Sequence, residues 1–344
     1  MPRGGGGQAR DVQVSKALSR LLRHAAVDEG VPIDKHGYVR MDDLLAWKRL
    51  KGLKVGFEEV VEVVQGNAKK RFAMKWAERG GVGKVVGGGD GEVQAEQAEQ
   101  VEDGETARAV AAFGEGSDRD PTRYFIRATQ GHSMKAVESE GLLEPITLSD
   151  PAGVPETVVH GTFYGTWEVI LRSGGLKKMG RNHVHFATGP GLNEVLPGQG
   201  NGDGLGETAI GHVLGENKVI SGMRGDAQIL VYVDIKKALL VGGWEWWKSE
   251  NGVVLTEGVM GEGMDDKMVP MEYWDVVVEV KEGLGVLWRK GEGVVKELPQ
   301  NLRARGVPRG KGGGPRGRGR GRGGGRGAGK PKLMVEGDKA AEDA

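Results

Sequence analysis

Among 344 residues there are 62 glycines, 48 Lys or Arg, 48 Asp or Glu, and no cysteine. The glycine share is more than twice the ~7% of an ordinary globular chain, but it follows no G-X-Y period, which excludes collagen; the missing cysteine excludes disulfides, thiolate metal sites and a Cys nucleophile. The zero net charge is partly a cancellation: Asn301 to Lys330 holds ten Lys/Arg and no acid, and Asp90 to Asp120 holds ten Asp/Glu against two Arg. Neutrality therefore does not exclude a polyanionic partner.

Residues 1–10 read as a disordered basic N-terminus with no apolar stretch of a secretory signal. Over 11–30, Val14, Leu18, Leu21, Leu22 and Ala25 form one helical stripe, and Gly30 is a C-terminal stop. A second short helix is expected near Met41–Asp43, capped by Asp42, with Leu44, Leu45 and Trp47 on its apolar side. A third is expected over Phe57–Gln65 with Val60, Val61 and Val64 inward, followed by a strand over Lys70–Trp76. Three helices and a strand make a winged-helix-like pattern.

Residues 79–120 read as an acidic low-complexity insert, with AEQAEQ repetition and only Phe113 to bury, so disorder is expected. RYFIRAT alternates Tyr124, Ile126 and Ala128 against Phe125 and Arg127. RFAMKW and RYFIRAT then form the arms of one β-hairpin, the insert being its tip. Such a tip is tolerated because closure entropy grows only logarithmically with length.

From Thr157 to Gly291, short β-type runs (TVVHGTF, HVHFAT, AQILVYVDI, GVVLTEG, DVVVEV) alternate with glycine turns, interrupted by a helix at Thr166–Ser173. The whole is predicted as α+β. The expected division is a winged-helix-like lobe over 11–132 containing the insert, a second lobe over 133–295, and a disordered Arg/Gly-rich tail over 296–344. No apolar run approaches the ~18 residues of a membrane span, and nucleus or cytoplasm is the expected location. Nothing in the sequence demands more than a monomer.

Three stretches carry chemistry: Leu22-Arg23-His24 with Arg71; Gln130-Gly131-His132-Ser133; and His160-Gly161-Thr162 with GLKKMGRNHVHFATG and Ser221-Gly222-Met223-Arg224-Gly225. Taken singly they are bland. Arg23 and His24 are a solvated helix face, Arg71 beside Lys69 and Lys70 a basic patch, and Arg224 a turn residue. The glycine-rich GPGLNEVLPGQGNGDGLGE lacks the Lys-Ser/Thr of a P-loop and the βαβ context of a dinucleotide fold, and reads as a surface loop.

Together, SKALSRLLRHAAVDEGVPIDKHGYVRMDDLL, NAKKRF, YFIRATQGHS, VVHGTFYGTWEVILRSGGLKKMGRNHVHFATG, SGMRGDAQILVYVDIKKAL and SENGVVLTEG resemble, in order, the RNA (tRNA) 2′-phosphotransferase family. The resemblance implies an N-terminal winged-helix RNA lobe joined to an ADP-ribosyltransferase lobe. It further implies an enzyme that removes a splice-junction 2′-phosphate from ligated tRNA, with NAD as co-substrate and no metal. In the implied reaction the 2′-phosphate displaces nicotinamide to give an ADP-ribosylated RNA phosphate. The ribose O2″ then attacks phosphorus, releasing 2′-OH RNA and ADP-ribose 1″,2″-cyclic phosphate.

Matched motif by motif, the family's catalytic Arg-His-Arg-Arg set falls on Arg23, His24, Arg71 and Arg224. Guanidinium forks suit a dianionic phosphate because they stay charged and bind it bidentately. For NAD, the resemblance points to His160, Gly161 and Thr162, to His185 in the His-Phe-Ala run, to Arg181 and His183, and to His132 and Ser133. Where many ADP-ribosyltransferases carry a catalytic Glu, this chain has Val253 or Val254, flanked by Glu250 and Glu257. An aliphatic residue there suits a phosphate nucleophile that needs no carboxylate. The tryptophans of GGWEWWK are expected to pack core or lobes. The Arg-Gly tail resembles segments that bind RNA weakly, with localisation signal and inert tail equally open. Two other readings stand beside this one: an ADP-ribosyltransferase that caps terminal phosphates of nucleic acids, and an inactive RNA-binding protein.

Overall fold

The computed structural model describes residues 6–77, 95–116, 118–196, 221–261 and 266–306. Helix α1 (Gly6–Arg20) runs into a single π turn (Leu21–Ala25), with Val14, Ala17, Leu18, Leu21 and Leu22 buried along one side. Strand β1 (Val39–Arg40), helices α2 (Met41–Ala46), α3 (Lys48–Leu53) and α4 (Phe57–Gln65), and strand β2 (Phe72–Trp76) follow. Beyond β2 come helix α5 (Ala95–Gly114) and strand β3 (Tyr124–Ala128). The sheet order is β1-β3-β2, and β2 pairs β3 antiparallel from Phe72↔Ala128 to Trp76↔Tyr124. The predicted hairpin is therefore present. The helices close one core by packing Leu18, Leu44, Leu50, Val60 and Val64 with Met74, Tyr124 and Ile126.

Three expectations for this half need correction. Asp42 does not cap α2: Arg40 occupies the N-cap position without a side-chain cap, and the Asp42 carboxylate accepts a 2.8 Å hydrogen bond from Arg40 Nη2. The insert is not structureless where it is described. Helix α5 lies on β2, with Ala109, Ala112 and Phe113 buried, and the Phe113 ring is 4.6 Å from that of Phe57. Thr106 Oγ1 accepts from Met74 N at 3.1 Å and donates to Met74 O at 3.3 Å, so α5 satisfies the open edge of β2. Residues 79–94 and 117 of the insert lie outside the described residues. Finally, Arg127 was grouped with the outward side of β3, yet it is buried under the Tyr38 ring, at 4.7 Å from its centroid.

The second half is built from β4 (Glu144–Ile146), β5 (Val159–Thr162), α6 (Tyr164–Ser173), β6 (Gly175–Lys177), β7 (Val184–Phe186) and α7 (Leu192–Val195). It continues with β8 (Ile229–Val233), β9 (Trp246–Lys248), β10 (Val254–Thr256), β11 (Met268–Pro270), β12 (Trp274–Glu279), β13 (Gly285–Arg289), β14 (Gly293–Val294) and helix α8 (Gln300–Arg303). A five-stranded sheet runs β14-β13-β12-β8-β5 and a four-stranded sheet runs β4-β9-β10-β7; a β11-β6 pair stands beside them. The fold is thus a mixture of helices and antiparallel sheets.

Trp167, Phe186, Val231, Trp246, Trp274 and Val277 form the second core. Trp246 lies inside it while Trp247 packs against the first core, consistent with the packing role read from GGWEWWK. Val254 faces the second core and its neighbour Val253 the first, so β10 is shared between the two halves. The start of the expected tail also belongs to the fold, because Leu298 and Leu302 on and before α8 are buried in the second core. The Arg-Gly repeats from 307 onward lie outside the described residues, as do 197–220, which include the second part of the glycine-rich loop.

What positions the site is a seam. Strands β5 and β7 are edge strands of different sheets, joined at Val159↔Ala187 by paired backbone hydrogen bonds of 3.0 and 2.9 Å. His160 lies on one side of that seam and His185 on the other.

Candidate active site

Arg23 and His24 leave the π turn, where the Ala26 amide reaches back five residues to the Leu21 carbonyl at 3.1 Å. A π turn inserts an extra residue into the helical repeat. Leu21, Leu22 and Ala25 can therefore stay buried while two adjacent polar side chains project together. The chain leaving β3 crosses this turn. Ser133 N donates to Arg23 O at 2.9 Å, and Ser133 Oγ shares a 2.9 Å hydrogen bond with His24 Nδ1. Gly131, at φ 88°, lies against the Arg23 side chain, and a Cβ there would stand 3.5 Å from its guanidinium carbon.

Arg71 arrives from the start of β2. Its Nη1 donates to Asn67 Oδ1 at 3.0 Å. Arg181 comes from the loop between β6 and β7, tied down by Asn182 N donating to His132 O at 2.9 Å. Arg224 sits on the exposed loop before β8, its guanidinium 5.5 Å from the centre of the Phe163 ring. That loop needs two glycines. A Cβ on Gly161 would fall 2.5 Å from Met223 Cγ, and one on Gly222, at φ 82°, 2.5 Å from Phe186 O. Glycine at 161 therefore lets the Arg224 loop seat on β5.

The electrostatics show these groups converging. Burial pushes the Arg23 guanidinium down to about 10, helped by the charges of Arg181 and Arg71. Burial lowers His24, and Arg181, Arg23 and Arg20 lower it further. Arg181 is itself lowered by burial and by Arg224. His160 is lowered by burial, against a raising bond to the His185 carbonyl, with Arg181 and Arg224 adding to the fall. Arg71 and Arg181 thus act on Arg23, and Arg224 on Arg181, so the four arginines form one cationic run drawn from both halves, with His24 beside Arg23 and Arg181.

Burial first, and the arginine charges second, keep His160 and His185 neutral. His160 Nδ1 donates to His185 O and His185 Nδ1 donates to His183 O, both at 2.9 Å, which leaves each Nε2 as an acceptor. His185 Nε2 is buried without a protein partner, as are Arg23 Nε and Nη2 and His132 Nε2. His183 Nε2 pairs with Ser139 Oγ at 3.0 Å, a residue the sequence did not single out. The Thr162 hydroxyl is engaged with Thr166 at 2.7 Å. Glu250 is buried with its Oε2 4.0 Å from Arg127 Nη2, and Glu257 accepts from Lys267 Nζ at 2.7 Å.

Two cavities flank the His24–Ser133 contact. A groove of about 940 Å³ is lined by Lys16, Arg20, Arg23, His24, Lys69 and Arg71. A cavity of about 1230 Å³ on the other side is lined by Ser133, Ser139, Lys178, Arg181, His183 and Trp247, among others. No group of three or more His, Asp or Glu gathers at metal-binding distance among the described residues.

A partly desolvated cluster of arginines with neutral histidines beside it, set between a basic groove and a second cavity, has the chemistry to take an anion such as phosphate. The chain belongs to the RNA 2′-phosphotransferase (Tpt1/KptA) family, whose model matches residues 9–258. It is similar to the tRNA 2′-phosphotransferase of Saccharomyces cerevisiae, 30% identical over 251 residues, which is 73% of this chain and 80% of the yeast protein. The human tRNA 2′-phosphotransferase 1 is 33% identical over 251 residues, covering 73% of this chain and 71% of the human one. A Schizosaccharomyces pombe protein, provisionally described as a tRNA 2′-phosphotransferase, is 34% identical over 250 residues; the match spans 73% of this chain and about half, 48%, of that one.

Proposed function

We propose that this protein removes the splice-junction 2′-phosphate from ligated tRNA by transferring it to NAD. The observation that carries the reading is the meeting of Arg23, His24, Arg71, Arg181 and Arg224: burial first, then the charges of Arg71 and Arg181, lower Arg23, and burial with Arg224 lowers Arg181. Like charges held this close are unfavourable until an anion joins them. A phosphate dianion is the ligand this arrangement suits. Each charge-assisted hydrogen bond contributes about 1.5–3 kcal/mol, so three guanidinium forks offset much of the repulsion between two anionic substrates.

In this reading the first half is a winged-helix RNA lobe and the second an ADP-ribosyltransferase lobe. Arg23, Arg71 and Arg224 hold the non-bridging oxygens of the 2′-phosphate. The basic groove beside Arg23 and Arg71 takes the RNA strand. The residues around the β5–β7 seam fit NAD: His185 Nε2 is a buried acceptor without a protein partner, and the neighbouring Arg181 and His183 line the second cavity. His160, His185, Arg181, His183 and the Gly161–Thr162 backbone would hold the dinucleotide, with His132 and Ser133 walling the same cleft. NAD supplies an electrophilic ribose carbon with nicotinamide as leaving group, and departs as ADP-ribose 1″,2″-cyclic phosphate.

His24 is neutral at pH 7 because its proton affinity is lowered. With Nδ1 engaged by Ser133, its Nε2 takes the proton from the ribose O2″ as that oxygen attacks phosphorus, and the imidazolium so formed returns it to the departing RNA O2′. The buried aliphatic pair Val253 and Val254 supplies no carboxylate, and a phosphate nucleophile requires none. The Arg-Gly tail adds weak RNA contacts through charge. The test is an oligonucleotide with one internal 2′-phosphate: conversion to 2′-OH RNA with NAD and none without it is expected. Unchanged RNA in the presence of NAD would overturn the assignment.

A further inference from the structure

Arg71 leaves the chain from a strained turn. Lys70 has φ 40°, a left-handed conformation that costs a residue with a Cβ about 1 kcal/mol or more. Its neighbours over-determine the turn from within the first half. Lys70 N donates to Asn67 O at 2.8 Å, and Thr129 Oγ1 and N donate to Lys70 O and Arg71 O, each at 3.0 Å. Asn67 Oδ1 accepts from Lys69 N at 3.2 Å and from Arg71 Nη1 at 3.0 Å, joining the turn to the guanidinium.

One further bond crosses from the second half. Asn251 Nδ2 donates to Lys69 O at 2.8 Å, across 182 positions of sequence. Asn251 is itself fixed, since its Oδ1 accepts from the buried Ser249 hydroxyl at 2.8 Å, and Ser249 Oγ accepts from Val253 N at 3.1 Å. Ser249 N donates to Val253 O at 2.9 Å, closing the β9–β10 turn beneath Asn251. The same hairpin pairs through β10 with β7, placing Leu255 opposite His185. A single rigid hairpin therefore touches both the histidine at the seam and the turn that presents Arg71.

We propose that Asn251 is a positioning residue for phosphate transfer: by holding the Lys69 carbonyl it sets Arg71 in register with the second lobe. This rests on the reading of Arg71 as a 2′-phosphate ligand. The Asn251 amide thus spans from its own β9–β10 turn, through Ser249, to the turn that presents Arg71.

The measurement is the ratio of affinities for one oligonucleotide with and without its 2′-phosphate, alongside kcat, KM for NAD and melting temperature. Asn251→Ala is expected to cut that ratio about tenfold, the weight of one charge-assisted hydrogen bond from a misplaced Arg71 to the phosphate, with KM for NAD unchanged. Asn251→Asp, which keeps the shape but turns an oxygen toward the Lys69 carbonyl, should do the same. In an Arg71→Ala background, Asn251→Ala should cost nothing more. An unchanged ratio in both single variants, or an equal loss with and without Arg71, would overturn the proposal. Full phosphate selectivity in Arg71→Ala alone would instead sink the reading on which it rests.

Discussion

Arg23 is destabilised by what it is built to do. It is buried beside Arg71 and Arg181, with Nε and Nη2 lacking protein partners. A buried cation without an anion costs stability, and sites that store such tension trade stability for function. Arg23→Met should therefore raise the melting temperature while lowering turnover at least a hundredfold; a fall in both would mean that Arg23 is structural. Arg224 is exposed on its loop, so Arg224→Ala should reduce turnover with no change in melting temperature.

The buried histidines set a pH dependence. Burial pulls His132 down to about 3 and His183 down to about 4. Unfolded, each takes up its proton near 6.5. Between those folded values and about pH 6.5 the unfolded chain holds more protons, so stability falls as pH falls. At about 1.4 kcal/mol per pH unit for each group, moving from pH 7.5 to 5 should cost up to about 2 kcal/mol per histidine. Urea unfolding at the two pH values measures it; a flat profile would contradict neutral burial. At this scale the site was largely legible, because Arg23, His24, Arg71 and Arg224 each lie in a motif. Asn251 and Ser139 were not, since their significance is a contact to a distant segment rather than a local pattern.

Among the elements, α5 shows why composition misled. Repeated Ala, Glu and Gln over 95–103 look like low complexity, yet those residue types are strong helix formers. The anchoring stripe is only Ala109, Ala112 and Phe113, at i, i+3 and i+4, and it acquires meaning once β2 offers an open edge. Phe113→Ala should cost about 3 kcal/mol, with kcat for the phosphate transfer unaltered. Denaturant unfolding and a turnover assay would separate this from a role at the site. Strand β3 departed from its alternation for a related reason. Its second face is covered by the other half of the molecule, where Glu250 stands beside Arg127. Period-2 reasoning assumes one wet face, and β3 has none at Arg127. The hairpin, α4 and the central strand β8 were legible because their patterns are set by cores built from nearby elements.

For the whole molecule, zero net charge gives no account of the site, because the relevant charge is local and assembled from both halves. Where the fold ends is likewise a packing matter. Leu298 and Leu302 belong to the second core, although composition grouped them with the tail. Truncation after Gly306 should leave melting temperature and turnover unchanged, whereas truncation before Lys296 should lower the melting temperature by several degrees. Equal stability of the two would mean that α8 is dispensable.

The central claim is that the arginine cluster passes a 2′-phosphate from RNA to NAD. Labelling that phosphate with oxygen-18 and analysing the products by mass spectrometry tests it most directly. The account predicts that the label appears in ADP-ribose 1″,2″-cyclic phosphate, in equal amounts with nicotinamide and 2′-OH RNA. Label recovered as inorganic phosphate, or released without NAD, would contradict it.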